Sequence, residues 1–173
     1  MGSVVGVISP PHVILSEGAP ALFGHAVGTA GDVNGDGFSD VIVGAIGYSN
    51  GQANEGAAYV YHGSLTGIVL PFAQRMESNV SNARSGFSVA CACDVNGFGF
   101  FDVIVGADQW ASGQANEGAA FIFHVSAAGV GAVPVTTLQR NLVGLFFGRS
   151  VAEAGDVNGD GYADVVIGAA GYE

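Results

Sequence analysis

The 173-residue chain contains no lysine, and its permanent positive side-chain charge rests on Arg75, Arg84, Arg140 and Arg149 alone. Against 15 acidic residues this leaves a net charge of -11. Such a chain lacks the basic face that a phosphate backbone requires, which argues against nucleic acid as a partner. Cysteine is equally scarce. Cys91 and Cys93 are the only two; one residue apart on a strand, their Cα atoms lie about 6.5 Å apart, at the limit for a disulfide. The spacing is not the CxxC of redox or zinc sites, so the two read as small buried fillers. No apolar run of about 18 residues free of glycine and proline exists to form a membrane helix. The opening MGSVVGVISPPHV lacks the basic start of a signal peptide, and export is left open. GxSxG, HExxH and GxxxxGK[ST] are all missing, which removes three common catalytic or nucleotide-binding signatures.

What is abundant is glycine, 29 residues, in a chain that is 49% hydrophobic. There is no G-X-Y period, so the glycines serve turns between many short strands. Eight of the nine aspartates fall within three versions of one phrase: DVNGDGFSD at 32–40, DVNGFGFFD at 94–102 and DVNGDGYAD at 156–164. Asp32, Asp94 and Asp156 are spaced by 62 residues in both steps. The repeat extends outward, from FGHAVGTAG before the first phrase to FGRSVAEAG before the third, and GQANEGAAYVYH at 51–62 matches GQANEGAAFIFH at 113–124. Within each unit, alternating and β-branched stretches broken by turn residues predict four antiparallel strands. In the first unit these are placed near 25–31, 40–45, 57–62 and 67–75. The fold class expected is all-β, with β-propeller blades of four antiparallel strands and about three blades per chain.

Carboxylates at positions 1, 3 and 5 of a loop, with glycine at 6, are a usual protein answer to calcium, a hard cation that takes six to eight oxygen ligands. A plain β-turn would account for the glycines but not for acids crowded within nine residues, whose repulsion needs a cation among them. The first loop offers Asp32, Asn34, Asp36, the carbonyl of Phe38, and Asp40; the third offers Asp156, Asn158, Asp160, the carbonyl of Tyr162, and Asp164. The middle loop has Phe98 at position 5 and keeps only Asp94, Asn96, the carbonyl of Phe100, and Asp102, so a weaker site is expected, with Phe98, Phe100 and Phe101 holding the loop by apolar packing. Magnesium demands a tighter octahedron, and zinc would want His or Cys. His62 and His124 occupy equivalent repeat positions and read as structural.

Phe-Gly at 23 and 147, the calcium-type loops, and the VGA or IGA that follows them resemble the FG-GAP repeats of the integrin α-subunit propeller and its bacterial relatives. The resemblance spans nearly the whole chain, as one propeller segment over residues 1–173 with repeat cores at 23–75, 85–140 and 147–173. Departures are Ile46, Asp108 and Ala170 in place of the family's proline, and Ser85 in place of phenylalanine. It implies Ca2+ as cofactor, position 9 (Asp40, Asp164) as a ligand, an extracellular or cell-surface location, and a role as an adhesion or protein-interaction scaffold without catalytic residues. It also implies ligand contacts on the face opposite the metal loops, which maps to GYSNGQANEG at 47–56 and DQWASGQANEG at 108–118. There Tyr48, Asn54, Trp110 and Asn116 are the candidate contacts to a protein or glycan, as exposed aromatics beside amides; a purely structural turn is the alternative for QANEG. Residues 1–22 resemble the outer strands that the third unit lacks, so a homodimer closing a six-bladed ring is expected, against a piece of a longer propeller. The other functional readings are a domain of a carbohydrate-active lyase or hydrolase, for which Arg149 is the residue to watch, and a structural half-propeller that self-assembles.

Overall fold

A computed structural model describes residues 21–171. Those residues contain strands and turns and no helix. The first unit is a four-stranded antiparallel sheet of β1 (Phe23–Gly31), β2 (Asp40–Ala45), β3 (Ala57–Tyr61) and β4 (Gln74–Glu77), in that order. The second unit repeats it with β5 (Ser85–Cys93), β6 (Asp102–Ala107), β7 (Ala119–Phe123) and β10 (Thr136–Leu138), after a small hairpin of β8 (Val125–Ser126) and β9 (Gly129–Val130). β11 (Phe147–Gly155) and β12 (Asp164–Ala169) form the third. These sheets are propeller blades, stacked face to face.

The two-residue period of the strands decides which neighbour each side chain meets. Ile42, Ala58 and Val60 of the first blade share a core with Val103, Val105, Phe121 and Phe123 of the second. Ile104, Ala120 and Ile122 point the other way, against Val151, Val165 and Ile167 of the third. On the outer face of the first blade, Val43 and Ala45 lie under Tyr59, Tyr61, Phe23 and Phe72, with the Tyr59 and Phe72 rings edge to face at 5.1 Å. All six residues of β6 are buried, whereas the matching β12 has none fully buried, because no sheet covers its far side among the described residues.

Close approach of backbone to backbone sets the blade spacing. Gly44 of β2 faces Gly86 of β5, and Gly106 of β6 faces Gly148 of β11. QANEG adds a second seam: Ser85 N donates to Glu55 O at 2.8 Å and Phe147 N to Glu117 O at 3.0 Å, alongside the parallel bridges Gly56 to Ser85 and Gly118 to Phe147.

The fourth strand differs from the sequence expectation. Residues 67–73 leave the ladder after Val69 N bonds His62 O and rejoin it where Ala73 N bonds Val60 O. Pro71 between them has no N–H to give, and Ile68 and Phe72 instead pack on the aromatic face. The regular strand therefore starts at Gln74. The expectation that residues 1–22 supply outer strands falls almost entirely on residues outside the described ones.

Candidate metal centre

Each acidic loop joins the first strand of a blade to the second. β1 ends in a bulge between Thr29 and Gly31, and Gly31, Gly35 and Gly37 take φ values of 77°, 73° and 89°. Only glycine adopts these without strain, and the resulting coil wraps the backbone around the Asp32 carboxylate. Asp32 Oδ1 accepts from Gly35 N at 2.8 Å and Asp36 N at 3.1 Å, and Oδ2 from Gly37 N at 2.8 Å. Asn34 Oδ1 accepts from Asp36 N, Asp36 Oδ1 from Phe38 N, and Asn34 Nδ2 donates to Asp36 Oδ2 at 2.8 Å. The third loop repeats this bond for bond: Asp156 takes Gly159, Asp160 and Gly161, and Asn158 Nδ2 reaches Asp160 at 3.0 Å.

Asp40 has a structural role of its own. Only 1% exposed, it accepts from Val33 N at 2.8 Å through Oδ2 and from Gly63 N at 2.7 Å through Oδ1. It thereby ties the start of the loop to the end of β3. Asp102 makes the equivalent bond to Val125 N at 2.7 Å, and Asp164 Oδ2 accepts from Val157 N. Burial raises the carboxyl pKa of Asp40 and Asp102, with those backbone N–H groups pulling the other way. Asp36, out in solvent, is shifted down by the Phe38 N–H and the Asn34 amide.

In the middle loop Asp94 keeps its three bonds, from the N–H groups of Gly97, Phe98 and Gly99. Having no carboxylate at position 5, Asn96 turns its amide to Asp102 Oδ2 at 2.9 Å. The expectation of apolar packing is corrected in part: Phe98 is 75% exposed and Phe101 40%, and only Phe100 packs against the core.

An FG-GAP repeat model matches residues 23–61 and 147–173. The chain is 41% identical to integrin alpha pat-2 of Caenorhabditis briggsae over 64% of its length. It is 36% identical to integrin alpha-4 of Xenopus laevis over 86% and 34% identical to human integrin alpha-7 over 91%. The chain belongs to the FG-GAP repeat family. It spans 9%, 14% and 13% of those relatives' own lengths.

The FG-GAP loops suit a hard cation in their donor chemistry. Each presents carboxylate, amide and carbonyl oxygens, most of which accept a single bond above and keep a second lone pair, whereas Asp32 Oδ1, Asp94 Oδ1 and Asp156 Oδ1 each accept two. Among the described residues, no Lys or Arg pairs with any loop carboxylate; the ion pairs are Arg75 with Glu77 and Arg84 with Asp108. A bound divalent ion would supply the missing charge.

At the opposite end of the FG-GAP blades the structure rearranges the expected contact residues. Trp110 is not an exposed aromatic: it is 9% exposed and edge to face with Phe121 at 6.0 Å. Tyr48 is half-buried beneath the Arg75 guanidinium at 5.0 Å. Asn54 and Asn116 are exposed with φ of 49° and 52°, and their carbonyls accept from Arg84 N and Phe146 N of the next blade. Glu55 and Glu117, both fully buried, close these loops by accepting from Asn50 N at 2.5 Å and from Ser112 N. Neither glutamate belongs to the phrases that mark the acidic loops in the sequence. Their signal was an acid outside the DVNG phrases at one repeat position in two units.

Arg149 lies near Asp108, with Arg84 and Arg149 over the Phe87 ring at 4.6 and 5.7 Å and His25 beside it at 4.8 Å. The Asp108 carboxyl is 1% exposed, too enclosed to meet a substrate, and burial raises its pKa against the pull of Arg84, Arg149 and His25. A carboxyl with a raised folded-state pKa stabilises the fold below the unfolded pKa of about 4, and that contribution is lost as pH rises through the folded value. Asp108→Asn, neutral throughout, is therefore expected to melt above the wild type at pH 7, with the gap closing as both are taken below about pH 4 in thermal melts.

Proposed function

We propose that the chain is a calcium-braced β-propeller segment that works as an adhesion or protein-interaction scaffold outside the cell. The observation that carries this reading is the repeated acidic coil: two full sets of alternating carboxylates at the same end of the first and third blades, with no Lys or Arg among the described residues to balance them. Asp32, Asn34, Asp36, the Phe38 carbonyl and Asp40 would hold one ion, and Asp156, Asn158, Asp160, the Tyr162 carbonyl and Asp164 another. Asp94, Asn96, the Phe100 carbonyl and Asp102 form the weaker middle site. When bound, calcium supplies positive charge and draws the loop oxygens together. The chain's own residues transmit that order: Asp40 and Asp102 connect each loop to the end of the third strand, so a fixed loop fixes the blade.

Recognition is assigned to the other end, where segments 47–56 and 108–118 present Asn54 and Asn116 on a base clamped by Glu55 and Glu117. Tyr48 and the buried Trp110 support that surface. The similarity to integrin alpha subunits favours a protein or glycan ligand. The uncovered side of β12 calls for further blades, and a second copy of the chain is the occupant this reading assigns; native mass spectrometry would report subunit number and bound metal together.

Calorimetry tests the metal reading directly. The wild type is expected to take up two calcium ions per chain with high affinity, and Phe98→Asp, which restores position 5, one more; an unchanged count in the variant overturns the assignment. For the scaffold role, cells are expected to adhere to surfaces coated with the chain in calcium and to release on chelation, whereas adhesion indifferent to calcium contradicts it.

A further inference from the structure

The two cysteines do something that the buried-filler reading does not explain. Cys91 is 5% exposed, as a filler should be, but Cys93 is half-buried and sits at φ 54°, in the place held by Gly31 (φ 77°) and Gly155 (φ 70°) in the sister repeats. A side chain in the left-handed region costs about 1 kcal/mol relative to glycine, and such strain is concentrated at sites of function. Cys91 occupies the repeat position of Thr29 and Glu153. Its Sγ accepts from Cys93 N at 3.1 Å, as Thr29 Oγ1 accepts from Gly31 N at 3.1 Å.

The left-handed turn at Cys93 brings its thiol back beside Cys91 and across to the next blade. The sulfurs are 3.6 Å apart, Cys93 Sγ donates to Glu153 Oε2 at 2.6 Å, and the three candidate ligand atoms all lie within 4.8 Å of one another. Both cysteines are free. A tetrahedral zinc with Zn–S bonds of about 2.3 Å sets its sulfurs about 3.8 Å apart, close to the separation observed. A disulfide needs about 2.05 Å.

We propose that Cys91, Cys93 and Glu153 form a zinc site that bridges the second and third repeats, with a fourth position open to water. Two thiolates and one carboxylate select a borderline-soft ion and reject calcium, just as the all-oxygen loops do the reverse. On binding, each thiol releases its proton to solvent and the metal takes the place of the proton that Cys93 shares with Glu153. The Glu153 side chain is exposed and free to withdraw to about 3.5 Å from the sulfur, the spacing that zinc–ligand distances of about 2.3 and 2.0 Å require. The proposal is independent of the calcium reading, since it uses none of the loop ligands.

The test is titration with zinc alone, and with cobalt as a spectroscopic substitute, on reduced chain saturated with calcium. One zinc per chain is expected, with thiolate-to-cobalt charge-transfer absorption in the near ultraviolet. Cys93→Gly restores the residue of the sister repeats and relieves the backbone, so it should fold at least as well and keep its calcium count while zinc affinity falls at least tenfold. Glu153→Gln should weaken zinc without abolishing the cobalt–thiolate band. Equal zinc affinity in Cys93→Gly overturns the proposal. So does a cobalt spectrum without thiolate absorption, or an isolated chain whose mass lacks the two hydrogens lost to a Cys91–Cys93 disulfide.

Discussion

A single methyl group added at Gly44 or Gly106 is expected to cost about 3 kcal/mol or more. A Cβ on Gly44 would overlap the carbonyl oxygen of Gly86 and lie 2.9 Å from its carbon; on Gly106 it would meet Gly148 in the same way, with the carbon at 3.0 Å. Neither glycine has a positive φ, so alanine strains no dihedral and the cost is steric. The facing Gly86 and Gly148 atoms are backbone, which cannot rotate aside as the Ser88 hydroxyl beside Gly106 can, so the blades must separate and open the cores on either side of β6. For a chain of this size the expected fall in melting temperature is about 6 to 12 °C. Gly131→Ala is the control, since its new Cβ would touch nothing closer than 3.4 Å. If Gly44→Ala and Gly131→Ala melt alike, the blades are not packed as described.

The second large effect is that of calcium on stability. A ligand that binds only the folded state adds about 2.7 kcal/mol per site at one hundred times its dissociation constant, so two full loops contribute about 5 kcal/mol that chelation should remove. Asp36→Ala combined with Asp160→Ala is expected to abolish most of this dependence. In chelator the double variant should melt close to the wild type, because both carboxylates are exposed and their bonds to Asn34, Phe38, Asn158 and Tyr162 lie in solvent. Melts of both proteins, each with calcium and with chelator, separate loss of a ligand from loss of local hydrogen bonds. A wild type that melts identically in both conditions removes the metal from the account.

The strand core of each blade was legible because its signals are local. DVIVGA carries the β-branched run and the glycine that together mark an inner strand, and it forms β2 and β6 at the expected residues. The acidic coil was legible for the same reason, since its glycines and carboxylates lie within nine residues. The fourth strand was misplaced because IVLPFA has the composition of a strand, while Pro71 and the aromatic cluster over Tyr59 claim those residues for a loop. Trp110 was expected outside because aromatic and amide neighbours also suit a surface; its burial depends on Phe121 and on the blade behind it.

The sequence by itself determined the inner strands, the repeat and the oxygen-rich make-up of the loops, because each is written in side chains a few residues apart and in the φ freedom of particular glycines. Only the tertiary structure decided which copy of a nearly identical strand is buried and what the carboxylates of Asp40, Glu55 and Glu117 hold. It also decided that Glu153 would meet a thiol 60 positions before it. The Asp40, Glu55 and Glu117 bonds depend on how each blade's own loops fold back on its strands. Burial of one strand copy over another and the meeting of Cys93 with Glu153 depend instead on which blade faces which across a gap narrow enough for glycine alone, a distance that no local pattern encodes.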